Sequence, residues 1–510
     1  MSSRRHSHRA SLIWAAAPQG EPRHARRARA NGAAVGSGFD AEPSGRTHPL
    51  TDRSANARLH AYDQRVKGAF DRIVPVLKRI AQLRCAPDFV AQAQVIAETE
   101  LGFRMPEDRL EEAWIAGLDL RTLFAWSVFE TYRRMADEFL IEDPLGGRES
   151  SSFEAFLQEC GFHMLDVTPC ADGRLAHAIS YVLRLPFGAV RRKSYAGGLF
   201  DVEDAVTKWV EIEYRRFREG RPNTADAPTR YLKAVIYHFS SHDPAQQGCA
   251  AHGSDDARAA RAALERLLAF RQAIENSFCC GASVALLLIG LDTDTDAIRI
   301  HVPNAAGEVA LDRSVDAARV YDMTCDLAPD AARARVLELV RDAAPDGAPD
   351  AGKTQLIARL IENNLSQIDF VRALHGGRYG DHGHAERFMG VGVGFDEIQL
   401  RNLTYFAYLD TVEEGAADLD VGCMIFSGLN VSRGLPIPVV IRFDYRGAVP
   451  GARERAILHC QRLDRALVER FERQASAGHL HRLLAVRDTD AGTGLEIVGS
   501  SLQRDGIGGR

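Results

Sequence analysis

Three residues with metal-binding side chains stand in two short polar segments of the sequence. Cys170 opens the first segment, residues 170–174, and His238 and Cys249 belong to the second. Two thiolates and one imidazole are typical zinc ligands, and they leave the fourth tetrahedral position free, as in a catalytic zinc site. We therefore predict that Cys170, His238 and Cys249 bind one zinc ion.

The spacing alone leaves an alternative open. A histidine followed by a cysteine eleven positions later is not a standard metal-binding motif. By spacing alone, two structural cysteines and a surface histidine are favoured over a zinc site. The neighbours of Cys170, which are Asp172 and Arg174, have their own ordinary interpretation as a helix N-terminal carboxylate with a surface ion pair.

The elements around these residues predict a common position for them. Residues 162–168 read as a short strand that Pro169 ends, and residues 175–183 have apolar side chains at helical spacing. Residues 231–239 read as a buried strand with His238 near its carboxyl end. Because ligands in open α/β sheets bind at the carboxyl ends of strands, both segments are expected at the same edge of a sheet.

The rest of the chain divides by composition. Apolar content of 45%, charged content of 26% and a net charge of −6 over 510 residues are typical of a globular protein, and no apolar run is long enough for a membrane span or a signal peptide. The overall composition and charge do not indicate nucleic-acid binding. The nine scattered cysteines do not indicate a disulfide framework.

We predict four parts of the chain. They are a disordered arm at 1–55, a helical domain at 56–145, a catalytic zinc domain at 146–385 and a C-terminal domain at 386–510.

The arm at 1–55 is rich in arginine and poor in large apolar residues. It can be a solvated tail, an organelle transit peptide or a tether that binds an acidic partner. We favour the tether. Its arginines include Arg4, Arg5, Arg9, Arg23, Arg26, Arg27 and Arg29.

The two polar segments also carry a family resemblance. Cys-x-Asp-x-Arg at a strand-to-helix turn resembles the β-class carbonic anhydrases. Residues 168–178, 237–241, 248–253 and 402–408 are more similar to a divergent branch of that class, the carboxysome shell carbonic anhydrases of α-carboxysomes, also called ε-class. Ten residues separate His238 from Cys249, against two in ordinary β-class enzymes, and this longer loop fits the carboxysomal branch.

The resemblance implies a fold, a reaction and partners. The fold is α/β, or α+β, with an N-terminal helical domain and two β-carbonic-anhydrase-like halves, the second degenerate. The reaction interconverts CO2 and bicarbonate with zinc on Cys170, His238 and Cys249. Asp172 would orient the attacking group, and Arg174 would keep Asp172 off the metal. We further expect a carboxysome location, CO2 supply to Rubisco, recruitment through the arm by Rubisco or a shell or scaffold protein, and a homo-oligomer.

A comparison of the sequence with itself supports the expectation of two related halves. Residues 394–408 look like a worn copy of residues 170–184, with Gly394 in place of Cys170 and Ile398 in place of Arg174. In this alignment Asp396 matches Asp172, Thr404 matches Ser180 and Tyr405 matches Tyr181. Residues 439–443 echo residues 234–238, with Phe443 in place of His238. The second half should therefore bind no zinc.

The sequence also offers candidate residues for proton transfer and leaves alternative functions to consider. The histidine-rich and glycine-rich segment 375–388 could line the site or bind a phosphorylated small molecule. A non-catalytic assembly protein with a structural zinc is the main alternative function, and a zinc deaminase is disfavoured because the HxE and PCxxC motifs are missing. Candidates for proton transfer are His177, His242, His252, His382 and His384.

Overall fold

A computed structural model describes most of the chain. The described residues are 47–139, 143–146, 150–187, 190–224, 226, 229–277, 283–344, 349–381 and 383–503. They belong to one compact unit. Within these residues, no helix combines the length and the apolar composition needed to span a membrane.

The folded part begins earlier than the sequence predicts. Most of the arm assigned to 1–55 lies outside the described residues, but residues 47–55 are part of the fold. His48 is buried, its amide donates a hydrogen bond to Asp369 at 2.8 Å, and its Nε2 lies 2.9 Å from the Thr324 hydroxyl. Such distant hydrogen bonds fix a segment whose composition alone indicates disorder.

The helical region forms because apolar residues recur at three- and four-residue spacing. Arg72 separates the first two helices, and Pro75 stands in the first turn of the second helix, where its missing N–H costs nothing. The helices of this region are α1 (Arg53–Asp71), α2 (Ile73–Gln82), α3 (Phe89–Glu100), α4 (Glu107–Glu111), α5 (Ala113–Ala116) and α6 (Leu120–Phe139).

The first sheet follows and has six strands in the order β2-β1-β3-β4-β5-β6. Its first four strands are parallel, and the last two are antiparallel additions. The elements are α7 (Ser150–Glu159), β1 (Met164–Pro169), β2 (Arg191–Arg192), α8 (Val202–Arg218), β3 (Arg230–Phe239), α9 (Pro244–Gln247), α10 (Asp256–Ser277), β4 (Ser283–Asp292), β5 (Ile298–His301), β6 (Ser314–Asp316), α11 (Ala317–Thr324), α12 (Pro329–Asp342) and α13 (Ala351–Leu374).

The second sheet has five strands in the order β11-β10-β9-β7-β8. It is parallel except at β11, and its own apolar core includes Val391, Ile441 and Val486. The elements are β7 (Phe388–Val393), β8 (Thr404–Tyr408), α14 (Val412–Leu429), β9 (Ile437–Tyr445), α15 (Ala452–Arg470), α16 (Glu472–Ser476), β10 (Leu480–Asp488) and β11 (Glu496–Ser500). The predicted α/β class, a helical region followed by two sheet-containing halves, is confirmed.

A buried ion pair joins the adjacent parallel strands β1 and β3 of the first sheet. Asp166 on β1 is the direct cross-strand partner of Lys233 on β3, and the Lys233 ammonium lies 2.9 Å from both the Asp166 carboxylate and the Thr168 hydroxyl. Tyr231 also donates to Asp166. A one-residue slip would separate these groups and leave them unpaired in the interior, so the pair favours one register.

The segment after β1 differs from the predicted single helix. It forms a 3₁₀ turn, Gly173–Leu175, and a π-helical turn, Ala178–Val182. The residues of both turns are buried. Strand β8 of the second half packs against the 3₁₀ turn, and α13 packs against the π-helical turn. Local apolar spacing indicated a helical segment but could not specify these tighter and wider turns.

The strands that precede the two predicted copies agree with the internal repeat, but the matches at Thr404 and Tyr405 do not. Strands β1 and β7 lie at the same offset as Cys170 and Gly394. Thr404 and Tyr405 then begin strand β8, whereas Ser180 and Tyr181 lie in the π-helical turn. The run of threonine and aromatic residues at 404–408 favours a strand beside β7, so the predicted matches of Thr404 and Tyr405 are wrong.

Strand register also corrects the predicted match of Phe443 with His238. Val167 pairs with Ala234 in the first sheet, and Val391, its equivalent by offset, pairs with Ile441 in the second. Counting from these pairs, Tyr445 takes the position of His238. Two short apolar strands can be aligned by sequence in several registers. Only the hydrogen-bonded pairing of the strands in each sheet selects one register.

An ion-pair cluster occupies the place in the second half that corresponds to the predicted metal site. Arg442 makes a bidentate pair with Asp444 at 2.6 and 2.8 Å and also pairs with Glu397. A Cβ atom on Gly394 would collide with the Asp444 carboxylate. Tyr132 of α6 hydrogen-bonds to both Arg442 and Glu397, at 2.8 and 2.7 Å. The cluster therefore connects the helical region to the second half.

Removing the cation of this cluster should destabilise the fold. We expect Arg442→Met to lower the free energy of unfolding by about 3–5 kcal/mol, because it leaves the Glu397 and Asp444 carboxylates buried without their partner. Urea unfolding followed by circular dichroism measures the change. Arg470→Met, which breaks an exposed pair with Asp420, is the matched control and should cost less than about 1 kcal/mol. Equal effects of the two substitutions would contradict this interpretation.

Candidate active site

The three predicted zinc ligands meet at the carboxyl edge of the first sheet. Cys170 directly follows β1, His238 is the penultimate residue of the adjacent strand β3, and Cys249 follows the short helix α9. Their ligand atoms all lie within 4.8 Å of one another, and all three side chains are at least 96% buried. Neighbouring parallel strands place their ends side by side, which is why residues so distant in sequence converge.

The donor set fits a metal ion. His238 Nδ1 is buried and has no hydrogen-bond partner among the described residues. The Cys249 side chain and then burial raise the pKa of the Cys170 thiol well above its usual range, so the Cys170 thiolate needs a nearby cation. Two thiolates with one imidazole suit zinc better than magnesium or calcium, which prefer oxygen ligands. The site thus has the chemistry of a buried zinc site.

Asp172 and Arg174 form a closed ion pair beside the three ligands. Arg174 Nε donates to Asp172 Oδ1 at 3.0 Å and Nη2 donates to Oδ2 at 2.7 Å, in the bidentate geometry that makes such pairs strong. Both side chains are buried. Burial pushes the pKa of Asp172 upward, but Arg174 outweighs it together with His384 and His238, so the pKa lies well below its usual range.

The Asp172–Arg174 pair contacts His238 on one side and the loop that carries Cys249 on the other. Asp172 Oδ2 lies 3.4 Å from His238 Nε2. Arg174 Nη1 donates to the backbone oxygen of Gln247 at 2.5 Å, and Nη2 donates to that of Gly248 at 3.3 Å. Arg174 therefore holds the end of the loop that carries Cys249. The structure brings the five residues singled out in the sequence into one site.

Glu386 and Asn402 of the second half contact the site, and the sequence did not assign a role to either residue. Glu386 Oε1 accepts hydrogen bonds from the Gly173 amide at 3.1 Å and from His384 Nδ1 at 2.9 Å. His384, Glu386 and Asp172 offer ligand or proton-binding atoms within 4.8 Å of one another. The Asn402 amide donates to the Gly173 oxygen at 2.8 Å. The dense glycines and histidines of 375–388 were the available signal for this lining.

The other histidines considered for proton transfer lie elsewhere. His177 is buried and binds Asp296 at 2.7 Å, and His242 is exposed beside Arg378. His252 is buried near Gly197, whose amide contacts Cys170. His382 lies outside the described residues. His384 is next to Asp172 and its side chain is 26% exposed, so it joins the site to solvent.

This fold and this cluster define a class of protein. A mixed α/β sheet with Cys, His and Cys at the ends of adjacent parallel strands, and an Asp–Arg pair beside them, is the arrangement that the resemblance to β-class carbonic anhydrases predicts.

Comparisons with known proteins give the particular family. Three family models, the carboxysome shell carbonic anhydrase N-terminal, catalytic and C-terminal domains, match residues 48–140, 152–384 and 385–502. A carboxysome shell carbonic anhydrase of Prochlorococcus marinus (strain MIT 9313) is 58% identical over 91% of each chain. One from Halothiobacillus neapolitanus is 46% identical over 89% of this chain and 90% of the relative.

The chain belongs to the carboxysome shell carbonic anhydrase family. The predicted family and enzyme class, a carbonic anhydrase, are confirmed, and so is the predicted location in the carboxysome.

The pairing of His384 generates a prediction about pH. Burial by itself would lower the pKa of His384, but Asp172 and then Glu386 outweigh it and raise the pKa to about 9. A raised pKa stabilises the fold fully below the unfolded value near 6.5, and this stabilisation is lost as pH rises through about 9.

Urea unfolding of the unmodified protein and of His384→Gln, from about pH 6 to about pH 10, measures this linkage. The stability difference between them should be largest at the acidic end and should shrink through pH 9. His242→Gln, at an exposed position, is the control. A difference that does not change with pH would show that His384 is not charged at neutral pH.

Proposed function

We propose that this protein is a zinc-dependent carbonic anhydrase whose metal is held by Cys170, His238 and Cys249. One observation carries the proposal: three buried soft-ligand atoms within 4.8 Å, directly beside a bidentate Asp–Arg pair. Zinc, when bound by such a set, supplies a Lewis acid that makes a water molecule reactive enough to attack CO2. The remaining steps belong to the residues around it.

Asp172 orients the reacting water. Its Oδ1 accepts hydrogen bonds from the Arg174 amide at 2.9 Å and from Arg174 Nε, while Oδ2 accepts one from Arg174 Nη2 at 2.7 Å and faces His238. Oδ2 is therefore the atom that accepts a hydrogen bond from the water and sets its direction. Because the pKa of Asp172 is held well below its usual range, the carboxylate remains an acceptor at neutral pH.

Arg174 restrains Asp172. A carboxylate so close to the metal ligands would otherwise turn toward the metal and occupy the open position. The two hydrogen bonds from the guanidinium, together with its anchors on Gln247 and Gly248, hold the carboxylate in place. The guanidinium is 98% buried, so water does not weaken the restraint.

His384 is the histidine whose position best suits proton exit. It lies between Asp172 and solvent, and Glu386 holds its Nδ1. Among the other described candidates, His177 binds Asp296, His242 lies beside Arg378, and His252 lies beside Gly197. We assign His384 the transfer of the proton that bicarbonate formation releases.

A structural zinc in a non-catalytic assembly protein is the alternative. Such a site would need a fourth protein ligand. The cluster found among the described residues contains three side chains, which favours an open position and the catalytic function.

We propose that the enzyme dehydrates bicarbonate inside the α-carboxysome and so supplies CO2 to Rubisco. The family name supports the location, and Rubisco is the CO2 consumer that the family resemblance implies. We assign the metal chemistry to a domain at 146–385, packing and docking to 56–145, and a zinc-free role to 386–510, and we expect a homo-oligomer. The Arg442 cluster in the second half supports its zinc-free role.

The Asp–Arg assignment has a direct test. Arg174→Ala should keep stoichiometric zinc but lower kcat/KM for CO2 hydration roughly 10–100-fold, because Asp172 loses its restraint. Stopped-flow hydration assays combined with metal analysis by mass spectrometry measure both quantities. Cys170→Ser should lose zinc and activity together. Full activity of Arg174→Ala would reject the restraining role while leaving the zinc ligands unaffected.

Recruitment through the arginine-rich arm has a separate test. We propose that residues 1–46 bind an acidic surface of Rubisco or of a shell or scaffold protein. Binding of the full chain to Rubisco should weaken as salt rises from about 50 to about 300 mM, because the attraction is screened. Deletion of residues 1–46 should remove the binding but not the hydration activity. Equal binding by the full and the shortened chain would assign recruitment to the folded part.

A further inference from the structure

The second half reaches across to the metal site through helix α14. Asp418 lies on this helix, and its Oδ1 accepts a hydrogen bond from the Ala196 amide at 2.9 Å. Ala196 begins a short turn, Ala196–Gly198, that belongs to the first half. The helix is itself fixed to strand β8, because the Tyr405 hydroxyl donates to the Asp418 backbone oxygen at 2.8 Å. Asp418 therefore connects the second sheet to this turn.

The same turn wraps around Cys170. The amide of Gly197, next to Ala196, donates to Cys170 Sγ at 3.1 Å. On its other side, the Tyr195 oxygen accepts from the Ala171 amide at 2.9 Å. Gly197 has a φ of +67°, and a Cβ atom there would lie 2.7 Å from His252 Nε2. The turn is thus confined between Cys170, the segment after Cys249, and Asp418.

Burying the Asp418 carboxylate costs free energy of folding. The residue is 6% exposed, and its Oδ2 has no hydrogen-bond partner among the described residues. Burial raises its pKa to about 6. A half-satisfied buried carboxylate costs stability, so a leucine of similar size would suit the packing better. We therefore attribute the function of the Asp418 carboxylate to the hydrogen bond that its Oδ1 accepts from the Ala196 amide.

We propose that Asp418 is a positioning residue for the metal site, which through Ala196 keeps the Gly197 amide directed at the Cys170 sulfur. This inference rests on the proposed zinc site. An N–H donor on a ligating sulfur fixes its orientation and withdraws negative charge from it. Loss of such an outer partner typically weakens metal binding 10–100-fold. The half without metal ligands therefore serves the half that has them.

Zinc affinity, measured by competition with a chromophoric chelator, tests the inference on the full chain. Asp418→Ala and Asp418→Leu remove the acceptor and should raise the zinc dissociation constant roughly 10–100-fold. Asp418→Asn keeps an oxygen that can accept from Ala196 and should stay within about threefold of the unmodified protein. The matched control is Asp420→Ala, on the same helix but exposed and paired with Arg470, and it should not change the affinity.

Cobalt substitution gives a second readout that a purely structural role would not change. The sulfur-to-cobalt absorption band should shift in Asp418→Ala and Asp418→Leu and stay in place in Asp420→Ala. Unchanged affinity and spectrum in either folded non-accepting variant would overturn the inference, as would loss of zinc in Asp418→Asn. Failure of both non-accepting variants to fold would also overturn it, by assigning Asp418 to the fold. If the unmodified protein bound no zinc, the proposed function itself would fail.

Discussion

The buried pair of Asp166 and Lys233 is the interaction on which the geometry of the site depends. It lies on the adjacent parallel strands β1 and β3 of the first sheet and joins residues that face each other across the ladder. The same ladder pairs Pro169 with Ile236, so that Cys170 and His238 emerge next to each other just beyond it. Other registers would separate the two ligands. A buried ion pair is weak evidence for stability, but it is well suited to selecting one register.

The two halves of the chain use their equivalent positions in different ways. In the first half, two thiols and an imidazole leave a place for a cation. In the second half, Arg442 supplies the cation itself and is neutralised by Asp444 and Glu397. With the proposed zinc bound, both arrangements would place positive charge among buried anionic groups at the end of a parallel strand. The cluster in the second half is also hydrogen-bonded to Tyr132 of helix α6.

The second half also completes the site of the first. Glu386 and Asn402 hold both polar groups of the Gly173 peptide, and Asp418 holds the turn that contacts Cys170. The Asp172–Arg174 turn and the cysteine are thereby fixed from outside their own sheet. The second half, which we propose binds no zinc, therefore supports the site of the first half through these hydrogen bonds.

The sequence by itself determined the ligand types, the strands that carry them and the Asp172–Arg174 pair. These are local features, since residue type, strand propensity and a five-residue motif are all readable along the chain. Only the tertiary structure decided the roles of Glu386, His384 and Asp418, the register that matches Tyr445 with His238, and the turns after Cys170. Those depend on contacts between distant segments, from the pairing of Val391 with Ile441 to the Ala196–Asp418 hydrogen bond across 222 residues, and local pattern carries no record of such contacts.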